Sequence, residues 1–153
     1  MNWPHSHCKI EVSLDRQEIV LVRNEKEIFK ASVSTAANGP GVEEGSYRTP
    51  IGNFVVRERI GEGAPIFTNF KGRIPRNVWK GEQSEDAVLS RILWLEGLDE
   101  NNANTYCRYI YFHGTHAEEL IGSPASHGCI RLINEQMLTL FNLTPIGTKV
   151  LIF

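Results

Sequence analysis

Hydrophobic and polar residues alternate along the first quarter of the chain. Ile10, Val12 and Leu14 are separated by polar residues, and apolar runs follow at residues 19–22 and 28–33. A period of two is typical of strands that bury one face, and the polar residues between the runs are typical of turns. The pattern therefore predicts a β-meander in this part of the chain.

Later strands are predicted from apolar runs that end at glycine, proline or polar clusters. They lie at residues 53–60, 90–97, 107–114 and 148–153. Residues 37–52 are predicted to be loop. Residues 61–87, which contain glycines and two prolines, are predicted to be mostly solvated loop that could form one wall of a substrate groove.

One helix is predicted, at residues 134–142. Met137, Leu138 and Phe141 recur at helical spacing, and Asn134 could cap the N-terminus. Many short strands with few helices and no alternation of strand and helix favour a mainly β fold, a β-sandwich or barrel-like domain with one or two short helices. We predict a single domain over residues 1–153, since 153 residues suit one domain.

Composition narrows the classes of partner. Hydrophobic residues make up 41% of the chain, charged residues 22%, and the net charge is −2, values that are ordinary for a globular protein. This charge gives no general attraction to nucleic acid, and the basic and aromatic residues at 70–80 are too few to predict nucleic-acid binding. No run approaches 18 apolar residues, so no membrane insertion is expected.

The first residues, MNWPHSHCKIEV, lack the features of a secretory signal. The expected location is therefore cytoplasmic, or the periplasm or cell wall if a leader has been removed. Three cysteines cannot all pair within one chain, so at least one thiol is expected to be free. Nothing in the sequence predicts an oligomeric state.

Candidate chemistry concentrates in FHGTHAEELIGSPASHGCIRL, residues 112–132. Four side chains here could bind zinc: His113, His116, His127 and Cys129. Their spacing matches no common zinc finger, and HGTH does not place two imidazoles on one helical face as HExxH does. A zinc site in a structural or interaction domain is therefore one of two hypotheses for this segment.

The other reading is a cysteine nucleophile with a histidine base. His113 ends a predicted strand, and a loop of sixteen residues could return Cys129 beside it. Gly128 allows a sharp bend, so that the N–H groups of residues 128 and 129 could converge on an oxyanion. A cysteine needs such a base because an unperturbed thiol is only a few per cent ionised at neutral pH.

The motif residues resemble a known family. His113-Gly114-Thr115 followed by IGSPASHGCIRL at residues 121–132 is similar to the catalytic signature of the YkuD-type L,D-transpeptidases. The likeness extends to the VSTA and TPIGNFVV segments within residues 33–56 and to GTKVLI at 147–152, so it covers most of the chain. His116 departs from the pattern, since relatives often carry asparagine there.

The resemblance implies roles for individual residues. Cys129 would be the nucleophile and His113 its base, oriented by a backbone carbonyl near Gly114. His127 and Gly128 would shape the oxyanion loop with support from Ser126, and Arg131 would bind the substrate. These roles need no metal and no cofactor.

The implied substrates are peptidoglycan stem peptides or soluble muropeptides. The enzyme would cleave the bond between a diamino acid and D-alanine through a thioacyl-enzyme. An amine acceptor would make it an L,D-transpeptidase, and water would make it an L,D-carboxypeptidase. A catalytically inactive domain that only binds wall peptides is a further alternative.

Overall fold

The computed structural model describes residues 7–84 and 86–153. The first half of the segment tested for a leader, residues 1–6, lies outside the described residues. The strands are β1 (Cys8–Ser13), β2 (Glu18–Arg23), β3 (Lys26–Ser32), β4 (Gly52–Ile60), β5 (Thr68–Lys71), β6 (Ile74–Val78), β7 (Val88–Gly97), β8 (Tyr111–Gly114), β9 (Ile130–Leu132) and β10 (Lys149–Ile152). The helix is α1 (Asn134–Leu143), and a 3₁₀ turn covers Glu118–Leu120.

The described strands belong to one hydrogen-bonded sheet. Its order begins β3-β2-β1-β10-β4-β7, and β7 then pairs with the β5–β6 hairpin and with β8. β8 pairs in turn with β9 in parallel. Ser34 and Arg131 also exchange backbone hydrogen bonds of 2.9 Å, which joins the chain after β3 to β9. The predicted mainly β fold is confirmed.

One loop prediction and one strand prediction are wrong. Residues 61–87 contain the antiparallel hairpin β5–β6. The hairpin escaped the pattern because every residue of β6 is exposed and Pro75 interrupts it, so no alternation is visible. The strand predicted at 107–114 begins only at Tyr111, because the N–H of Arg108 bonds back to the carbonyls of Asn104 and Thr105 and closes a turn.

The main core lies between the sheet and α1. Met137, Leu140 and Phe141 are fully buried in a cluster that also contains side chains from most of the strands, and α1 lies mainly against β7 and β8. Burying one such side chain stabilises the fold by about 1.5–3 kcal/mol, so this contact fixes α1 on the sheet. A second cluster, formed by Phe70, Ile92, Trp94 and Tyr111, lies where β5, β7 and β8 meet.

Asn134 does not have the predicted capping role. Ile133 occupies the N-cap position, and the Glu118 carboxylate accepts the Asn134 N–H at 2.8 Å. The buried Asn134 side chain accepts a bond from Ser90 Oγ at 2.6 Å and donates one to the Thr115 carbonyl at 2.7 Å. It therefore ties the start of α1 to β7 and to the loop that follows β8.

Within the described residues, no helix has the length and hydrophobicity needed to cross a membrane.

Candidate active site

The parallel pair β8–β9 brings Cys129 and His113 to one face of the sheet. Phe112 pairs with Ile130, so the residues before and after each of them point to the opposite face. Cys129 lies beside Tyr111, and His113 lies beside Arg131. With strands about 4.8 Å apart and same-face residues about 6.6 Å apart along a strand, the diagonal between the Cys129 and His113 Cα atoms is roughly 8 Å. The side chains of Cys129 and His113 are together long enough to span that distance.

Cys129 is a neutral thiol in this setting. Its Sγ accepts the Tyr111 N–H at 3.3 Å and donates to the Tyr109 carbonyl at 3.3 Å. A thiolate would be repelled by that carbonyl oxygen, because both would carry negative charge. Burial raises the pKa of the Cys129 thiol to about 12, even though the Tyr111 N–H favours the thiolate. The residue as a whole is nevertheless partly exposed.

His113 is buried and neutral. Burial lowers the pKa of its imidazole to about 4. Nδ1 lies 2.6 Å from the Gly114 carbonyl oxygen, which can only accept a hydrogen bond. Nδ1 therefore carries the proton, and Nε2 keeps a free lone pair that can accept a proton.

Gly114 is needed for this geometry. A Cβ atom at this position would lie 2.2 Å from Asn134 Oδ1 and 2.9 Å from the Leu89 carbonyl oxygen. The close packing of Gly114 against β7 and Asn134 fixes the carbonyl that accepts the hydrogen bond from His113 Nδ1.

At the end of the loop before Cys129, the N–H groups of His127 and Cys129 have no hydrogen-bond acceptor among the described residues. Ser126 Oγ donates to the Cys129 carbonyl at 2.6 Å and accepts the Gly128 N–H at 3.2 Å. The Gly128 N–H, predicted to point at an oxyanion, is therefore engaged within the loop. Among the described residues, none accepts a hydrogen bond from the Cys129 N–H, which leaves this group available. Gly128 has a φ of +127°, a backbone conformation that suits glycine.

Two threonines that were not predicted as site residues hold this loop in place. The Thr35 carbonyl accepts the Ser126 N–H at 2.8 Å. Thr49 Oγ1 donates to the Gly128 carbonyl at 2.9 Å and accepts the Ala36 N–H at 3.0 Å. Both belong to the upstream segments of the motif, so those segments support the nucleophile.

Arg131 does not face an open groove as expected. Its side chain is 5% exposed, and Nη2 donates to Asp86 Oδ1 at 2.5 Å. The reason is the sheet register, which places Arg131 between β8 and the Ser34 bridge. A direct contact of Arg131 with substrate stays a prediction, and the structure shows a contact with Asp86 instead.

Asp86 is a site residue that the sequence did not reveal. Its Oδ2 lies 3.6 Å from His127 Nδ1, so one carboxylate contacts both Arg131 and the oxyanion loop. Burial alone would raise the pKa of this carboxyl, but its interactions with His113 and with the Arg131 guanidinium outweigh burial and hold the pKa below its ordinary value. An isolated aspartate 45 positions from its arginine carries no local signal.

The zinc reading finds no support. Within residues 7–84 and 86–153, no three His, Cys, Asp or Glu side chains converge as metal ligands would. His116 packs edge-on against Trp79 at 6.4 Å, and its Nδ1 is buried without a hydrogen bond inside the described part of the chain. His127 is exposed and lies 5.5 Å from the Tyr47 ring. The imidazoles therefore have separate environments.

Two open clefts flank the loop. One, of about 600 Å³, is lined by Ala37, Asn38, Tyr47, Asp86, Ser126 and His127. The other, of about 200 Å³, shares Tyr47 and His127 and includes Tyr109, whose carbonyl contacts the Cys129 thiol. Both clefts lie beside the loop that precedes Cys129, and Cys129 itself lines neither of them.

Comparisons with known proteins identify the family to which this chain belongs. The chain is 50% identical over 40 residues to the putative L,D-transpeptidase YqjB of Bacillus subtilis, a match that covers 26% of this chain and 23% of that protein. It superposes on an L,D-transpeptidase from Xylanimonas cellulosilytica with a TM-score of 0.62 and 22% identity, covering 96% of this chain and 60% of that one.

A second solved structure is L,D-transpeptidase 3 from Mycobacterium tuberculosis in complex with a faropenem-derived adduct. Its TM-score is 0.61 at 15% identity, covering 95% of this chain and 60% of that one. The chain therefore spans less than two thirds of each of these proteins, and the structural likenesses establish the fold. The profile of the YkuD family, described as the L,D-transpeptidase catalytic domain, matches residues 9–152. The chain belongs to the YkuD family of L,D-transpeptidase catalytic domains.

Proposed function

We propose that this protein is a cysteine acyltransferase that cleaves peptidoglycan stem tetrapeptides at the bond between the diamino acid and D-alanine. One observation carries the proposal. The bond from His113 Nδ1 to the Gly114 carbonyl leaves Nε2 as a proton acceptor on the face of the sheet that also holds Cys129. Family membership supplies the substrate class.

The first half-reaction begins with the neutral pair. The Cys129 thiol turns from the Tyr109 carbonyl and gives its proton to His113 Nε2, while the sulfur forms a bond to the substrate carbonyl carbon. The carbonyl oxygen becomes an oxyanion, and the free Cys129 N–H donates to it. His113 then gives its proton to the departing amine, the C–N bond breaks, and a thioacyl-enzyme with free D-alanine remains.

The second half-reaction regenerates the thiol. His113 takes a proton from an acceptor amine or from water, which attacks the thioester carbon, and the C–S bond breaks as the proton returns to the sulfur. An amine from a second stem peptide gives a cross-link, and water gives a tripeptide. The same two residues serve both outcomes, so the acceptor decides between transpeptidase and carboxypeptidase.

The neutral resting pair explains how Cys129 would remain selective. A thiol whose pKa is about 12 holds little thiolate at neutral pH and reacts slowly with stray electrophiles. Proton transfer to His113 becomes favourable only when an electrophilic carbonyl is held against the sulfur. The faropenem-derived adduct of the mycobacterial relative indicates that a penem is a suitable acylating probe.

The test is to incubate the purified protein with a disaccharide tetrapeptide and to identify the products by mass spectrometry. Loss of one alanine alone supports hydrolysis, and dimers that have lost one alanine support transpeptidation. Cys129→Ala should abolish both products, whereas Cys107→Ala, which removes an exposed thiol, should leave them unchanged. Turnover that survives Cys129→Ala would refute the proposal.

A further inference from the structure

Arg73 lies at the tip of the β5–β6 hairpin, in the segment that the sequence left without a role. It follows Gly72 in the turn between the two strands and has a φ of +65°. A left-handed backbone is uncommon for a residue with a side chain. This turn directs the Arg73 side chain back over the sheet, toward the second hydrophobic cluster.

Aromatic rings hold the guanidinium in one place. Its carbon lies 5.0 Å from the centre of the Trp94 ring and 4.8 Å from that of Tyr109, and Nη1 donates to the Tyr111 hydroxyl at 3.1 Å. Trp94 is itself fixed, since Tyr106 stacks on it at 4.0 Å. Contacts of this kind attract a cation to the faces of the rings and limit its motion.

The same tyrosines contact the nucleophile. The Tyr109 carbonyl accepts the Cys129 thiol, and the Tyr111 N–H donates to its sulfur. Cys129 also packs against the cluster that contains Trp94 and Tyr111. The Arg73 guanidinium therefore contacts the side chains of Tyr109 and Tyr111, the two residues whose backbone groups form hydrogen bonds with the Cys129 sulfur.

Part of the Arg73 guanidinium forms no hydrogen bond with the described residues. Within the described part of the chain, Arg73 forms no hydrogen bond through Nε or Nη2 and has no carboxylate within 4.0 Å. Other arginines near the site differ. Arg131 is paired with Asp86, and Arg108 donates to the carbonyls of Gly41 and Arg48. A guanidinium that is held in place with free donors is prepared for a planar anion.

We infer that Arg73 is a specificity residue that binds a free carboxylate of the stem peptide next to Cys129. This inference rests on the proposed function. The carboxylate has two possible sources, the C-terminus of the leaving D-alanine and the side-chain carboxylate of a diamino acid such as diaminopimelate. Both present the planar two-oxygen group that fits the fork of an arginine.

The test measures kcat/KM on three tetrapeptides with the wild type, Arg73→Gln and Arg76→Gln. One peptide has both carboxylates free, one has a C-terminal amide, and one has an amidated diamino acid side chain. Arg76→Gln is the matched control, because it removes the same charge from the same hairpin at an exposed position. Acylation of Cys129 by faropenem shows that each variant is folded around its thiol.

Arg73→Gln should lower kcat/KM on the free peptide by roughly ten- to a hundredfold, the range for a hydrogen bond between charged groups. Amidating the bound carboxylate should lower the wild type by a similar factor and leave Arg73→Gln unchanged, and the peptide that behaves in this way identifies the source. Arg76→Gln should act like the wild type.

Two results would overturn the inference while the proposed function stands. Arg73→Gln could match the wild type on the free peptide, or it could lose the same factor on all three peptides. A wild type that turns over none of the peptides would instead refute the proposed function, and the inference with it.

Discussion

The resting protonation state of Cys129 leads to a quantitative prediction. With a pKa of about 12, about one thiol in 10⁴ is ionised at pH 8, compared with about a quarter for a free thiol of pKa about 8.5. The thiolate population is therefore lower by roughly two-thousandfold. A more basic thiolate is also a better nucleophile, which offsets part of the loss in thiolate population. Alkylation of Cys129 should therefore be slower than alkylation of the free thiol by roughly 50- to 100-fold.

The assay is alkylation by iodoacetamide between pH 6 and pH 10, with N-acetylcysteine in the same tube as the reference thiol. Peptide mass spectrometry separates Cys129 from the exposed Cys107 and the buried Cys8. The Cys129 rate should keep rising with pH to the end of the range. Cys107 reports on access of the reagent to an exposed thiol of the same protein.

A rate for Cys129 that is already constant near neutral pH would refute this reasoning. Such a plateau would mean a resting ion pair of thiolate and imidazolium. The structure predicts that this ion pair does not form at rest, because burial lowers the pKa of His113 to about 4 and its ring is neutral at pH 7.

Three further predictions concern residues around this pair. His113→Gln should lower kcat by roughly 10²–10⁴-fold in product assays, because no base remains for the thiol. Gly114→Ala should lower the free energy of unfolding by about 1–3 kcal/mol in denaturant titrations, since its Cβ would lie 2.2 Å from Asn134 Oδ1. Asp86→Asn should lower the free energy of unfolding by about 1–2 kcal/mol at pH 7, less than for a fully buried pair because the Asp86 side chain is 40% exposed.

The contribution of Asp86 to the free energy of unfolding should decrease as the pH falls. The pKa of Asp86 is lowered in the folded state, so its contribution is present above the unfolded value of about 4 and is lost as the pH falls through the lower folded value. The gap in unfolding free energy between wild type and Asp86→Asn should therefore narrow from pH 6 toward pH 3. A gap that is absent at pH 7, or that widens in acid, would contradict the role given to this carboxylate.

Local signals predicted much of the fold. Alternation along residues 10–14 gave β1, and the helical spacing of Met137 and Phe141 gave α1 to within one residue of its end. The hairpin β5–β6 was missed because β6 is exposed along its whole length and lacks a hydrophobic period. A pattern of burial cannot reveal a strand that buries nothing.

Some residues of the candidate site could be predicted from local sequence and others could not. Cys129 and His113 were predicted from a motif whose parts lie close together in the sequence. Asp86 and Arg73 were not, because both approach the motif residues only through the pairing of distant strands. The expectation for Arg131 followed from the resemblance to the family, but its burial beside Asp86 depends on register, which a single sequence does not reveal.

The most direct test of the central claim is to trap the acyl-enzyme. The protein is mixed with a stem tetrapeptide, quenched in acid within milliseconds to seconds, and digested for peptide mass spectrometry. We expect a tripeptide attached through a thioester to Cys129, with no such thioester in Cys129→Ser and none on Cys107. Turnover of the tetrapeptide without any adduct on Cys129, or with the adduct on another residue, would contradict it.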